Sequence, residues 1–127
     1  MTECVVDSSV LLAIVRAENG AAEARRALPG SLLSAVNMSE VAAKLTDWGM
    51  NPAGIQETFD TFACTIVSFD DGQAFSSGLL RQLTRSAGLS LGDRACLALA
   101  LQTGLPVLTA DRAWAELELG VDVRLIR

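Results

Sequence analysis

At 127 residues the chain has room for one compact domain and little room for a second. Half of it is hydrophobic, yet its apolar runs fall well short of the ~20 residues needed to cross a bilayer, so a soluble, cytoplasmic protein is expected. A net charge of −5 argues against a simple nucleic-acid binder, and the absence of histidine excludes every mechanism that needs a histidine base.

Residues 3–6, Glu3-Cys4-Val5-Val6, read as a short buried strand that stops at Asp7. Residues 8–16 read as a helix with an almost wholly apolar body, broken by Asn19-Gly20. A short helix over 21–28 carries Glu23, Arg25 and Arg26, and Pro29-Gly30 turns the chain into a second strand over 31–36. Asn37 is placed to cap the next helix, whose apolar positions Met38, Val41, Ala42, Leu45 and Trp48 follow helical spacing up to Gly49. Asn51-Pro52 opens another helix with Ile55, Phe59 and Phe62 on one face, and a third strand follows over 65–68. Asp70 or Asp71 caps a longer helix bearing an apolar stripe, Phe75, Leu79 and Leu83, which is expected to face the core, the other reading being that an edge of it serves a dimer. The helix over 90–101 is apolar nearly all round and so belongs at the centre. A fourth strand over 106–109, a short helix over 111–119 and a fifth strand over 123–126 complete the chain.

Strands alternate with helices, and the strands are apolar runs without in–out alternation. That pattern predicts an α/β domain with a parallel sheet covered on both faces. Ligands of such sheets bind beyond the carboxyl ends of the strands, where the strand order reverses. Four acids fall near that edge. Asp7 follows the first strand, Glu40 lies in the first turn after the second, Asp93 opens the central helix, and Asp111 lies two residues beyond the end of the fourth strand. Each also has a local explanation. Asp7 and Asp111 are favoured N-cap types, while Asn37-x-x-Glu40 and Ser90-x-x-Asp93 fit capping boxes. Glu40 can also pair with Lys44 one turn on.

Chemistry gives the acids a common purpose. The three cysteines, Cys4, Cys64 and Cys96, sit apart among apolar neighbours without a CxxC pair, which reads as buried, reduced thiols. With neither histidine nor clustered cysteine, catalysis would rest on carboxylates and a hard cation. Grouped carboxylates repel unless cations neutralise them, and Mg2+ or Mn2+ prefers oxygen ligands. Such ions activate water and clamp phosphate. A phosphatase of the haloacid-dehalogenase type would need Asp-x-Asp where this chain has Asp7-Ser8-Ser9. A receiver domain would need adjacent acids there and a lysine after a late strand, and the single lysine, Lys44, lies early.

Four segments carry a resemblance: Val5-Val6-Asp7-Ser8-Ser9, Ser39-Glu40-Val41, the run from Ser90 to Ala100 that begins Ser-Leu-Gly-Asp-Arg-Ala, and Val107-Leu108-Thr109-Ala110-Asp111. In order and spacing they resemble the PIN-domain family, especially VapC-type toxins of bacterial toxin–antitoxin pairs, over essentially the whole chain. The resemblance implies a single PIN domain over 1–127, a three-layer α/β/α fold with a central parallel sheet of about five strands, the first of them in the middle. It implies a Mg2+- or Mn2+-dependent endoribonuclease that hydrolyses RNA phosphodiester bonds with a metal-activated water. Metal-binding and catalytic roles fall on Asp7, Glu40, Asp93 and Asp111, with Ser8 and Thr109 as supporting groups. A homodimer is implied, as is a small antitoxin that blocks the site, often with a basic residue. The other reading is a catalytically silent PIN module acting as a binding or regulatory subunit. Some family members carry a further acid two or three residues past the position of Asp111; Ala113 and Trp114 stand here, which leaves a second metal weakly provided for. Trp114 reads as a packing residue rather than a base-stacking platform. Arg94 and Arg112, each next to a proposed ligand, are candidate phosphate contacts, the other reading being that they point outward and balance nearby acids.

Overall fold

The computed structural model describes residues 4–127, so Glu3, expected to open the first strand, lies outside the described residues. Five short strands form the sheet: β1 (Val5–Val6), β2 (Leu32–Ser34), β3 (Thr65–Val67), β4 (Val107–Thr109) and β5 (Val123–Leu125). Their order is β3-β2-β1-β4-β5, and every neighbouring pair is parallel. The first strand is therefore central. The chain builds outward from β1 to β2 and β3, then crosses to β4 and β5 on the other side. The order reverses between β1 and β4, and a crevice is expected beyond their carboxyl ends.

Adjacent side chains of a strand point to opposite faces, so Val5 and Val6 enter different layers, both fully buried. Val6 joins a core made with α1 (Ser8–Val15), α2 (Ala21–Ala27), α3 (Ala35–Asp47) and α4 (Pro52–Phe62). Val5 joins the second core, made with α5 (Asp71–Thr84), α6 (Leu91–Thr103) and Trp114. This is the expected sheet between two helical layers. Trp114 has no exposed surface, as its reading as a packing residue requires. Cys4 and Cys96 are buried and Cys64 is half-buried. Among the described residues no helix is long and apolar enough to cross a membrane.

Three local expectations are corrected. Helix α3 begins three residues early, at Ala35, because Ser34 at the end of β2 takes the N-cap role and its side chain accepts from the Val36 amide at 3.2 Å. Asn37 is thus inside the helix and fully buried. The segment after Asp111 makes a 3-10 helix over Arg112–Glu116 in place of an α-helix to residue 119. The stripe on α5 does not face the core: Phe75, Leu79 and Leu83 are 70%, 62% and 66% exposed. The buried side of α5 is Gln73, Ser77, Leu80 and Thr84. The reason is layering. The apolar α6 already covers β1, β2 and β4, so α5 packs on α6 rather than on the sheet. It does so with a narrow, largely small and polar side.

Candidate metal centre

Asp7 occupies the N-cap position of α1, with the extended backbone expected of a cap, yet its side chain caps nothing. Its Oδ2 is instead drawn to the switch-point crevice, where it accepts from Ser9 Oγ at 2.6 Å and from Thr109 Oγ1 at 3.0 Å. Thr109 reaches it because β1 and β4 are in register, Val6 opposite Leu108, so the next residue of each strand lies alongside. The two hydroxyls also relay outward. Ser9 Oγ accepts from the Ala110 amide at 3.0 Å, and Thr109 Oγ1 from the Asp111 amide at 3.1 Å. Each hydroxyl has one hydrogen, and both are spent on Asp7. Ser9, not singled out in the sequence, is thereby as closely tied to the site as Thr109.

The other oxygen, Asp7 Oδ1, is buried with no hydrogen-bond partner. Asp7 is only 3% exposed. Burial pushes its carboxyl up to about 6, the hydrogen bonds from Ser9 and Thr109 pull the other way, and the charges of Asp93 and Glu40 add to the rise. A buried carboxylate with an empty oxygen is costly unless something cationic completes it.

Glu40 comes from α3 and is half-buried. Its Oε1 accepts from Ser8 Oγ at 3.1 Å and from Asn37 Nδ2 at 2.8 Å. The expected capping box with Asn37 does not form: the amide bonds to the Glu40 carboxylate, and its other hydrogen goes to the Gly92 carbonyl at 3.0 Å. The Glu40 carboxylate lies against the Cα of Gly92, where a Cβ would collide with it. Glycine at this point of α6 is therefore what admits Glu40 to the site. Asn37 is the second site residue that the sequence reading passed over, since it was assigned to capping.

Asp93 is half-buried in the first turn of α6. It does complete a capping box, Oδ2 accepting from the Ser90 amide at 3.0 Å while Ser90 Oγ accepts from the Asp93 amide at 3.2 Å. The box engages one of the two carboxylate oxygens, Oδ2. Asp7, Glu40 and Asp93 share one neighbourhood: all three charges act on the fully buried Cys96, whose thiol is pushed well up, first by burial and then by Asp7, Asp93 and Glu40. Among the described residues no three acids or cysteines already stand in ligand geometry.

Asp111 is exposed and caps the 3-10 helix, its Oδ1 accepting from the Ala113 amide at 3.0 Å. It is joined to the others only through Thr109. Arg112 is exposed. Arg94 is half-buried and turns to α5, where Nη1 donates to the Ser77 carbonyl at 3.1 Å. The oxygens of these acids are of the kind that Mg2+ and Mn2+ prefer, and Asp7 Oδ1 among them has no hydrogen-bond partner.

Comparison with known proteins bears on the family and the fold. A family model described as "PIN domain" matches residues 4–119. None of the curated proteins matches the chain in sequence. The fold is similar to that of a toxin–antitoxin complex from Klebsiella pneumoniae, with a TM-score of 0.77 at 22% identity over 98% of each chain. It is similar to DNA-bound VapBC from Salmonella typhimurium, with a TM-score of 0.76 at 16% identity over 100% of each chain. It is also similar to VapC20 of Mycobacterium tuberculosis, described as a sarcin-ricin loop cleaving toxin, with a TM-score of 0.71 at 13% identity over 94% of this chain and 98% of that one.

Proposed function

This chain belongs to the PIN-domain family, and from that premise we propose that it is a Mg2+- or Mn2+-dependent endoribonuclease, the toxin of a VapBC-type toxin–antitoxin pair. The observation that carries the reading is the buried, half-bonded Asp7 at the switch point, with Glu40 and Asp93 charges beside it. Asp7, Glu40 and Asp93 would hold the cation, with Asp111 as the outlying fourth acid. A bound divalent ion supplies the neutralising charge and the Lewis acidity that make water a nucleophile and stabilise a phosphodiester's developing charge. The chain's own part is arrangement. Ser9 and Thr109 aim Asp7 away from its helix and fix its Oδ2, leaving Oδ1 buried without a hydrogen-bond partner. Ser8 restrains Glu40 from the start of α1.

An RNA substrate is supported by the neighbour whose description names cleavage of the sarcin-ricin loop. An antitoxin partner is supported by the neighbours solved as toxin–antitoxin complexes. An apolar groove of about 570 Å3 between α1, α2 and α4, with Ile14, Val15, Leu28, Met50 and Phe62 in its lining, offers a helix of such a partner a seat. A homodimer would cover the exposed stripe of Phe75, Leu79 and Leu83 on α5.

The deciding experiment is cleavage of a mixed RNA pool by the purified protein with Mg2+ or Mn2+, with EDTA, and by Asp7→Asn. Cutting that needs the ion and vanishes in the variant is the expected result. No cutting with either ion, or equal cutting by the variant, would refute the nuclease reading in favour of a silent binding module.

A further inference from the structure

The amide of Asn37 joins the two helices that carry Glu40 and Asp93. It is fully buried in the first turn of α3. Both of its partners, Glu40 Oε1 and the Gly92 carbonyl, accept and cannot donate, so the amino end must face them and both its hydrogens are used. The carbonyl end, Oδ1, is left buried with no partner. An apolar side chain of similar size would bury here without that loss. What it would not do is bond Glu40 to the peptide that immediately precedes Asp93. Glu40 rests on Gly92 itself, so the same contact sets how near the two acids stand.

We infer that Asn37 is a positioning residue, which presets the Glu40–Asp93 pair for a divalent cation. The inference rests on the proposed cation site. Groups that hold a metal's ligands typically matter by 10–100-fold in affinity, and about tenfold is expected here. Ser8 shares the restraint of Glu40 but has no bond to α6, so it does not substitute for Asn37.

The test uses Mn2+ alone, its free and bound forms counted by electron paramagnetic resonance, beside melting curves taken in EDTA. Asn37→Leu removes both bonds and the orphaned carbonyl together. It is expected to melt at or above the temperature of the unaltered protein and to bind Mn2+ about tenfold more weakly. Leu45→Ala supplies the contrast: it opens a cavity on the same helix at a fully buried position, and should lower the melting temperature while leaving Mn2+ affinity within about twofold. Should Asn37→Leu fail to fold, Asn37→Ser, which shortens the donor's reach, decides the matter by the same affinity loss. Mn2+ affinity within about twofold of the unaltered protein in the folded Asn37 variant would overturn the inference alone. Absence of Mn2+ binding by the unaltered protein, with no difference from Asp7→Asn, would overturn the cation site and this inference with it.

Discussion

Asp7→Asn offers a test that is independent of any substrate. The Asp7 carboxyl is raised from 3.8 to about 6, so in the metal-free fold its ionised form is disfavoured. A raised folded value means that the group's contribution to stability is fully present below 3.8 and is lost as pH rises through about 6. The full loss, about two pKa units, is ~3 kcal/mol, and the part falling between pH 5 and pH 8 is roughly 1.5 kcal/mol. Asparagine does not titrate. Its amino group inherits the unpartnered position at some fixed cost, but that cost does not change with pH. Urea unfolding of both proteins in EDTA should therefore show the unaltered protein losing about 1.5 kcal/mol relative to Asp7→Asn over that range, close to 1 M in midpoint. A cation at 100 times its dissociation constant should then restore ~2.7 kcal/mol to the unaltered protein and far less to the variant. Parallel stability profiles from pH 5 to pH 8 would refute the argument, because they would mean that Asp7 is neither buried nor crowded by charge as described.

Three further outcomes follow from neighbouring contacts. Thr109→Val keeps the shape of a buried residue and removes one bond that holds the Asp7 carboxyl down, so the pH at which Mn2+ binding reaches half its maximum should move upward; an unchanged midpoint would show that the 3.0 Å contact does not matter. Gly92→Ala must displace Glu40 and should weaken Mn2+ binding about tenfold, whereas Gly78→Ala on α5, where an added Cβ meets nothing, should leave binding alone and add ~0.5–1 kcal/mol of stability. Leu79→Glu, 62% exposed in the single chain, should shift the mass measured by light scattering toward the monomer with little change in the melting temperature extrapolated to low concentration; an unshifted mass would place any dimer contact elsewhere.

The layering and the placement of the acids could be read from the chain because both depend on order. Apolar strands alternating with helices require a covered parallel sheet, and an acid directly after such a strand falls at its carboxyl end, as Asp7 does after Val6. The α5 stripe was not decidable in this way. Phe75, Leu79 and Leu83 have the spacing of a core face, and spacing alone does not say whether the sheet beneath is already covered by another helix. The capping of α3 failed for a related reason: Ser34 and Asn37 are both good caps, and the choice turned on where β2 ends. Ser9 and Asn37 were hidden by versatility. Hydroxyl and amide side chains have many local partners, so the contact of Ser9 with the Ala110 amide, 101 residues away, leaves no local pattern.

Capping and ligation are rival explanations for each acid, and the structure shows which of the carboxylates cap. Asp93 caps, spending one oxygen on the Ser90 amide, and its charge still acts on Asp7. Asp111 caps with Oδ1 and sits exposed. Asp7 stands at a cap position and declines the role, because two hydroxyls from either side of the crevice outcompete the helix amides for its Oδ2. A side chain diverted from a stabilising local bond and left buried with a bare oxygen costs the metal-free protein stability. That cost makes sense if a cation is the partner for which the position was built. It also orders the acids, with Asp7 contributing most to affinity, Glu40 and Asp93 next, and Asp111 least. Alanine at each of the four, titrated with Mn2+, should reproduce that order. A larger loss at Asp111 than at Asp7 would mean that the ion sits toward β4 and that the buried oxygen has another purpose.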